Sequence, residues 1–183
     1  MTAQRYASIG DVMATTTAVS IEEYLTTAYS PDCDFVDDHI EERNLGERPH
    51  SGLQGEFVTY LNSRRKRWGI RIWPEQRVQT KATRFRVPDV CVTLGKPDEL
   101  IFRTAPFLCI EILSSEDRMA RVEKRRQEYL DMGVQFVWLV NPFNHDAWIY
   151  SAAGKQPVLD GILRTAAPDI LVPLNELFAA AEE

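Results

Sequence analysis

The period of apolar and polar positions changes along the chain, and each change marks an element. Two runs carry the strongest signal, Arg84-Phe-Arg-Val-Pro-Asp-Val-Cys-Val-Thr-Leu94 and Phe107-Leu-Cys-Ile-Glu-Ile-Leu113. Both are short, rich in β-branched and aromatic residues, and bounded by the turn formers Gly95, Pro97 and Pro106, so both are expected to be strands. Side chains alternate between the faces of an extended chain. Asp89 therefore shares a face with Val87 and Cys91, and Glu111 with Cys109 and Leu113. A carboxylate set among core residues is costly to bury unless it is protonated, paired or bound to a cation. If the two strands pair, both carboxylates reach one point.

The remaining pattern predicts a mixed order of helices and strands. Ser20-Ile-Glu-Glu23 matches a capping box and opens a helix from Ile21 to about Ala28, stopped by Pro31. Cys33 to Arg43 reads as a β-hairpin around an Asp37-Asp38 turn. From Pro49 to about Trp68 a long helix carries Leu53, Phe57, Tyr60, Leu61 and Trp68 as one stripe, with His50 on the same side in the first turn. Ile70 to Thr80 reads as a strand interrupted by Pro74. A helix is expected from about Glu116 to Met132, ended by Gly133 and followed by the buried strand Val134 to Val140. Strand, helix and buried strand suggest a right-handed crossover to a parallel neighbour. Ala147 to Tyr150 and Gly154 suggest its hairpin partner, and Ile170 to Phe178 a last strand and short helix on the edge. The fold class is thus α/β, a central mixed sheet flanked by helices. Residues 1–18 read as a mobile extension, and residues 19–183 as one domain.

Composition narrows the class further. With 183 residues, 44% of them hydrophobic, the chain can bury a substantial core, and no apolar run approaches the roughly 20 residues that span a bilayer. No basic segment followed by an apolar one opens the sequence, and Cys33, Cys91 and Cys109 read as buried reduced thiols, so a cytoplasmic protein is expected. A net charge of −6 argues against coating a polyanion with the whole surface, but it leaves room for a local basic groove. Arg64-Arg-Lys-Arg67 supplies four cations to the last turn of the long helix. They suit the helix dipole there, and a phosphate-contacting patch is an equal reading.

Several motifs occur in a telling order: His50, Arg86-Val-Pro-Asp-Val90, Ile110-Glu-Ile-Leu-Ser114, Tyr129 with Met132-Gly-Val134, and Trp138-Leu-Val-Asn-Pro142. In this arrangement the chain resembles the PD-(D/E)xK nuclease superfamily. More narrowly, it is similar from Val19 onward to the bacterial Uma-type family of restriction-endonuclease-like proteins. The resemblance implies a restriction-endonuclease-like core, a Mg2+-dependent (or Mn2+-dependent) endonuclease acting on phosphodiester bonds of DNA, and a homodimer. It implies Asp89 and Glu111 as the metal ligands. Two carboxylates on adjacent strands suit a hard cation that keeps several waters and leaves room for a phosphate oxygen.

One position departs from the superfamily. Leu113 stands where its lysine is expected, and in the resembling family the lysine comes from the following helix, four residues before the tyrosine. Arg125 occupies that place. It lies on the flank of the inward stripe of Met119, Val122, Tyr129, Leu130 and Met132, whereas Lys124 points away. An arginine can clamp a phosphate but cannot serve as a general base. This keeps other readings open: a nuclease-fold protein that binds nucleic acid without cutting it, or a structural or oligomerisation module with ion-paired acids. His50, Asp34, Glu75 and Lys124 are supporting candidates, Asp34 to complete a metal shell and Lys124 as the nearby lysine. Gln76 and Arg77 could face nucleic acid, and Cys91, Cys109 and His50 are a weaker zinc option.

Overall fold

The computed structural model describes residues 5–8, 18–30, 32–44 and 46–182. The first helix, α1 (Ile21–Thr26), begins at Ser20, whose hydroxyl accepts the Glu23 N–H at 3.1 Å as a capping box requires. It ends before Ala28, because Thr27 is already extended and opens β2 (Thr27–Ser30). The expected stop at Pro31 lies outside the described residues. Strand β1 (Arg5–Ser8) runs parallel to β2. The rest of the 1–18 extension, residue 18 apart, also lies outside the described residues.

The hairpin forms as β3 (Cys33–Val36) and β4 (His39–Glu42). Asp37 and Asp38 take φ of 48° and 65°, the left-handed pair that a two-residue hairpin turn demands. The long helix α2 (Arg48–Trp68) follows, closed by Gly69 at φ 67°. Two of the expected strands are each divided. Pro74 ends β5 (Ile70–Pro74), Glu75 to Arg77 separate it from β6 (Val78–Lys81), and Val87 to Asp89 separate β7 (Arg84–Arg86) from β8 (Val90–Leu94). The halves enter different sheets. Strands β6 and β7 join the hairpin in the order β4-β3-β7-β6.

The larger sheet adds β9 (Leu108–Ile112), β10 (Phe136–Asn141), β11 (Asp146–Ser151) and β12 (Gly154–Pro157), in the order β12-β11-β10-β9-β8-β5. Helix α3 (Met119–Met132) connects β9 to β10, which pair in parallel, and Gly133 ends it at φ 107°. The helix starts three residues later than the pattern suggests, after a turn organised by Asp117. The other neighbours in this sheet are antiparallel.

Two apolar layers cover the sheet. On one side Leu53, Phe57 and Leu61 of α2 pack with Val90, Val92, Ile110, Trp138 and Val140. The tail joins this layer: after β13 (Ile162–Arg164) and β14 (Leu171–Pro173), helix α4 (Leu174–Glu182) inserts Leu174, Leu177 and Phe178. The tail therefore covers the core rather than finishing an edge. Close approach to α2 depends on Gly52, where an added Cβ would sit 3.1 Å from the Ala181 carbonyl oxygen. On the other side Val122 and Tyr129 of α3 pack with Cys91, Cys109, Val137 and Leu139. Two buried acids interrupt this arrangement where β8 begins and β9 ends.

Candidate functional site

Antiparallel pairing of β8 and β9 sets Val90 opposite Ile110 and Cys91 opposite Cys109. The same register carried one step further brings Asp89 beside Glu111. Both are buried, at 3% and 5% exposure, so each needs partners for its oxygens. They share a cavity of about 20 Å3, lined also by Arg43, Asn44, His50, Ile112, Ser114, Asp117 and Arg125. That volume is close to the minimum of about 10–15 Å3 that admits one water.

Asp89 is held from three directions. Its Oδ2 accepts the Ile112 N–H at 2.7 Å, and His50 Nε2 lies 3.3 Å from the same oxygen. Its Oδ1 accepts from Arg43 Nη2, whose Nη1 lies 3.6 Å from Glu75. Burial opposes ionisation of Asp89, but His50 and the Arg43 charge outweigh it and keep the carboxyl below its usual range. Burial likewise works against the charged form of His50, and Asp89 reverses the balance to raise its pKa. The carbonyl of Asp89 is also engaged, by Gln54 Nε2 at 3.0 Å and the Glu75 N–H at 3.2 Å.

Glu111 has a different environment. Tyr129 donates its hydroxyl to Oε1 at 2.7 Å, and Arg125 Nη2 lies 3.3 Å from Oε2. Burial pushes the carboxyl up to about 7, with Arg125 pulling it down and the Asp89 charge pushing it further up. For Arg125, burial disfavours the charge while the adjacent Glu111 sustains it, leaving the guanidinium fully protonated. Below it, Asp117 accepts from Ser114 N–H at 2.8 Å and from Asn44 Nδ2 at 3.1 Å, and lies 3.5 Å from Arg125.

The chain matches one protein family over residues 21–177, Uma2, described as "Putative restriction endonuclease". The chain belongs to the Uma2 family. The crystal structure of a protein described as a "putative nuclease belonging to DUF820", from Anabaena variabilis, shares its fold. It superposes with a TM-score of 0.76 at 23% identity, covering 89% of this chain and 99% of the other. No protein with a curated description matches significantly.

Of the residues singled out in this Uma2 sequence, Asp89, Glu111, Arg125 and His50 line one cavity, and Glu75 touches it through Arg43. Others are placed elsewhere. Asp34 accepts from Arg86 at 2.9 Å and from the Val87 N–H at 2.9 Å, so it braces the segment leading to Asp89 and does not line the cavity. Lys124 is exposed, as the helical wheel implies. Arg64 stacks on Tyr60, and the turn it opens lies about 21 Å along α2 from His50 at 1.5 Å per residue. Gln76 binds the Leu100 carbonyl at 2.9 Å, and Arg77 the Thr27 carbonyl at 3.2 Å. Cys91 and Cys109 sit among apolar residues of the α3 layer, while His50 turns to Asp89. The pattern gave no notice of Arg43, since nothing local links it to an aspartate 46 positions away. Asn44 and Asp117 were equally silent.

Among the described residues no group of three or more His, Cys, Asp or Glu side chains is set to hold a metal ion. A cation at this site would have two protein carboxylates. The donor chemistry fits a small hard ion: both ligands are oxygen, both are buried, and the remaining positions would fall to water and substrate. The buried nitrogens His50 Nδ1 and Arg125 Nε, both in residues that line the cavity, have no protein partner. They suit a site whose polar contents include more than its own side chains. Two arginines already pair with the carboxylates, so a cation entering here would compete with Arg43 for Asp89 and with Arg125 for Glu111.

Proposed function

We propose that this protein is a Mg2+-dependent endonuclease, with Mn2+ able to substitute, that hydrolyses phosphodiester bonds in DNA. The observation that carries the reading is the meeting of Asp89 and Glu111 in one buried cavity beside Arg125. Family membership supports the reaction class. Asp89 and Glu111 would hold the metal, which when bound would polarise the phosphodiester and lower the pKa of a water.

The chain's own groups have separable tasks. The Ile112 N–H and His50 fix Oδ2 of the Asp89 carboxylate, so that this acid keeps its orientation when Arg43 leaves Oδ1. Tyr129 fixes Glu111 and favours its ionised form. Arg125 remains charged throughout and is placed to bind a non-bridging phosphate oxygen and to oppose charge developing on it. It takes no proton from water, so that proton must leave by another route. A homodimer would suit cleavage of both strands of a duplex through two-fold symmetry.

Plasmid nicking tests the reading. Wild-type protein should convert supercoiled DNA to open circles in Mg2+ or Mn2+ and not in chelator, while Asp89→Asn and Glu111→Gln should be inert. Binding of DNA without nicking in either metal would instead identify a nuclease fold that has lost its reaction.

A further inference from the structure

The start of α3 breaks a local rule. Arg118 occupies the cap position, Arg121 lies in the first turn, and no acid is present there, although the positive end of a helix dipole disfavours cations. Both arginines are exposed, and among the described residues neither has an ion-pair partner. Arg121 and Arg125 are four apart and share one helix face, and Arg118 stands at the cap of the same helix. They line a cleft of about 310 Å3 together with Glu42, Asn44, Glu116 and Asp117. Asn44, Asp117 and Arg125 line the carboxylate cavity too, so the two spaces adjoin.

A second observation points to a ligand. Arg125, one of the three residues shared by cleft and cavity, pairs through Nη2 with Glu111 and Asp117, while its Nε is buried without a partner. The acids do not close the cleft to anions. Asp117 is committed to Ser114 and Asn44, and Glu42 and Glu116 are exposed to water.

We propose that this cleft binds the phosphates next to the scissile one. Arg125 is nearest the carboxylates, Arg121 is one turn farther, and Arg118 is at the outer end. The assignment rests on nucleic acid being the substrate. Its rival is the cluster of Arg65, Lys66 and Arg67 at the far end of α2, which the helix dipole explains without a ligand.

Salt dependence separates the two. Binding of a fluorescein-labelled DNA duplex is followed by anisotropy in Ca2+ across a range of NaCl concentrations, for wild type and variants. Each neutralised phosphate contributes about 0.9 to the slope of log affinity against log salt, so Arg118→Ala/Arg121→Ala should flatten it by about 1.8. Lysine at both positions should restore the slope, and Arg65→Ala/Lys66→Ala/Arg67→Ala should leave it unchanged. Because Arg118 and Arg121 are exposed, equal thermal midpoints should accompany the loss. An unchanged slope in the α3 double variant, loss of the slope in the α2 triple variant, or no duplex binding by wild type would overturn the assignment. Nicking assays divide the two failures: a flattened slope with no nicking by wild type sinks only the nuclease reading, and nicking with an unchanged slope sinks only the cleft.

Discussion

Tyr129 donates its hydroxyl to Glu111 Oε1 over 2.7 Å, from the helix that also brings Arg125 to the other oxygen of the same carboxylate. One helix thus orients both oxygens of a buried acid. A hydrogen bond to a charged group is worth about 1.5–3 kcal/mol when its partner is otherwise unsatisfied. Tyr129→Phe should lose about 2 kcal/mol in urea denaturation and reduce nicking, with no change in secondary structure by circular dichroism. Unchanged stability would mean that Glu111 finds another donor.

The two acids should respond unequally to neutral replacement. Asp89 is ionised and holds Arg43, so Asp89→Asn leaves a buried guanidinium short of its counter-charge and should cost about 3 kcal/mol. Burial disfavours the charge of Glu111, and Arg125 keeps Asp117 as a second counter-charge, so Glu111→Gln should cost less than about 1 kcal/mol. Denaturant midpoints in chelator would compare them, and equal losses would contradict the asymmetry.

A second ion network anchors α3 away from the cavity and gives a pH prediction. Glu128 takes both nitrogens of a fork from Arg86, at 2.7 and 3.1 Å, and a third bond from Arg84 at 2.8 Å. Burial works against its charge, but the Arg86 and Arg84 contacts outweigh it and depress its pKa. A depressed carboxyl contributes stability above its unfolded pKa of about 4.3, and that contribution disappears as pH falls through the folded value. Wild-type stability should therefore fall below about pH 5, and the fall should be shallower in Glu128→Gln. Parallel pH profiles would show that the network does not act in this way.

Metal binding has a readout independent of activity. A cation that binds only the native state stabilises it by roughly 2.7 kcal/mol at a hundredfold excess over Kd. The thermal midpoint of wild type should rise with Mn2+, and those of Asp89→Asn and Glu111→Gln should not. A rise retained in both variants would place the cation elsewhere.

Much of this was legible in local pattern. The α2 stripe, the β9-α3-β10 crossover, the Gly133 cap and the exposure of Lys124 follow from periodicity, and the convergence of Asp89 with Glu111 follows from alternation once the strands pair. Sheet membership was less readable. Arg84 to Leu94 looks like one strand, but the chain changes sheets at Val87 to Asp89, where the Val87 N–H goes to Asp34 and Pro88 has no N–H to give a ladder. Arg43, Asn44 and Asp117 reach the site only through tertiary contacts. Asp34 reads in the sequence as a candidate to complete a metal shell, and an acid in a strand does not reveal that a buried arginine will pair with it.

The central claim is that Asp89 and Glu111 form a cation site. Crystals soaked in Mn2+ test it most directly through anomalous scattering. An anomalous peak is expected between the two carboxylates, with Arg43 withdrawn from Asp89. Full Mn2+ exposure with no peak, and with Arg43 and Arg125 still seated on the acids, would contradict it.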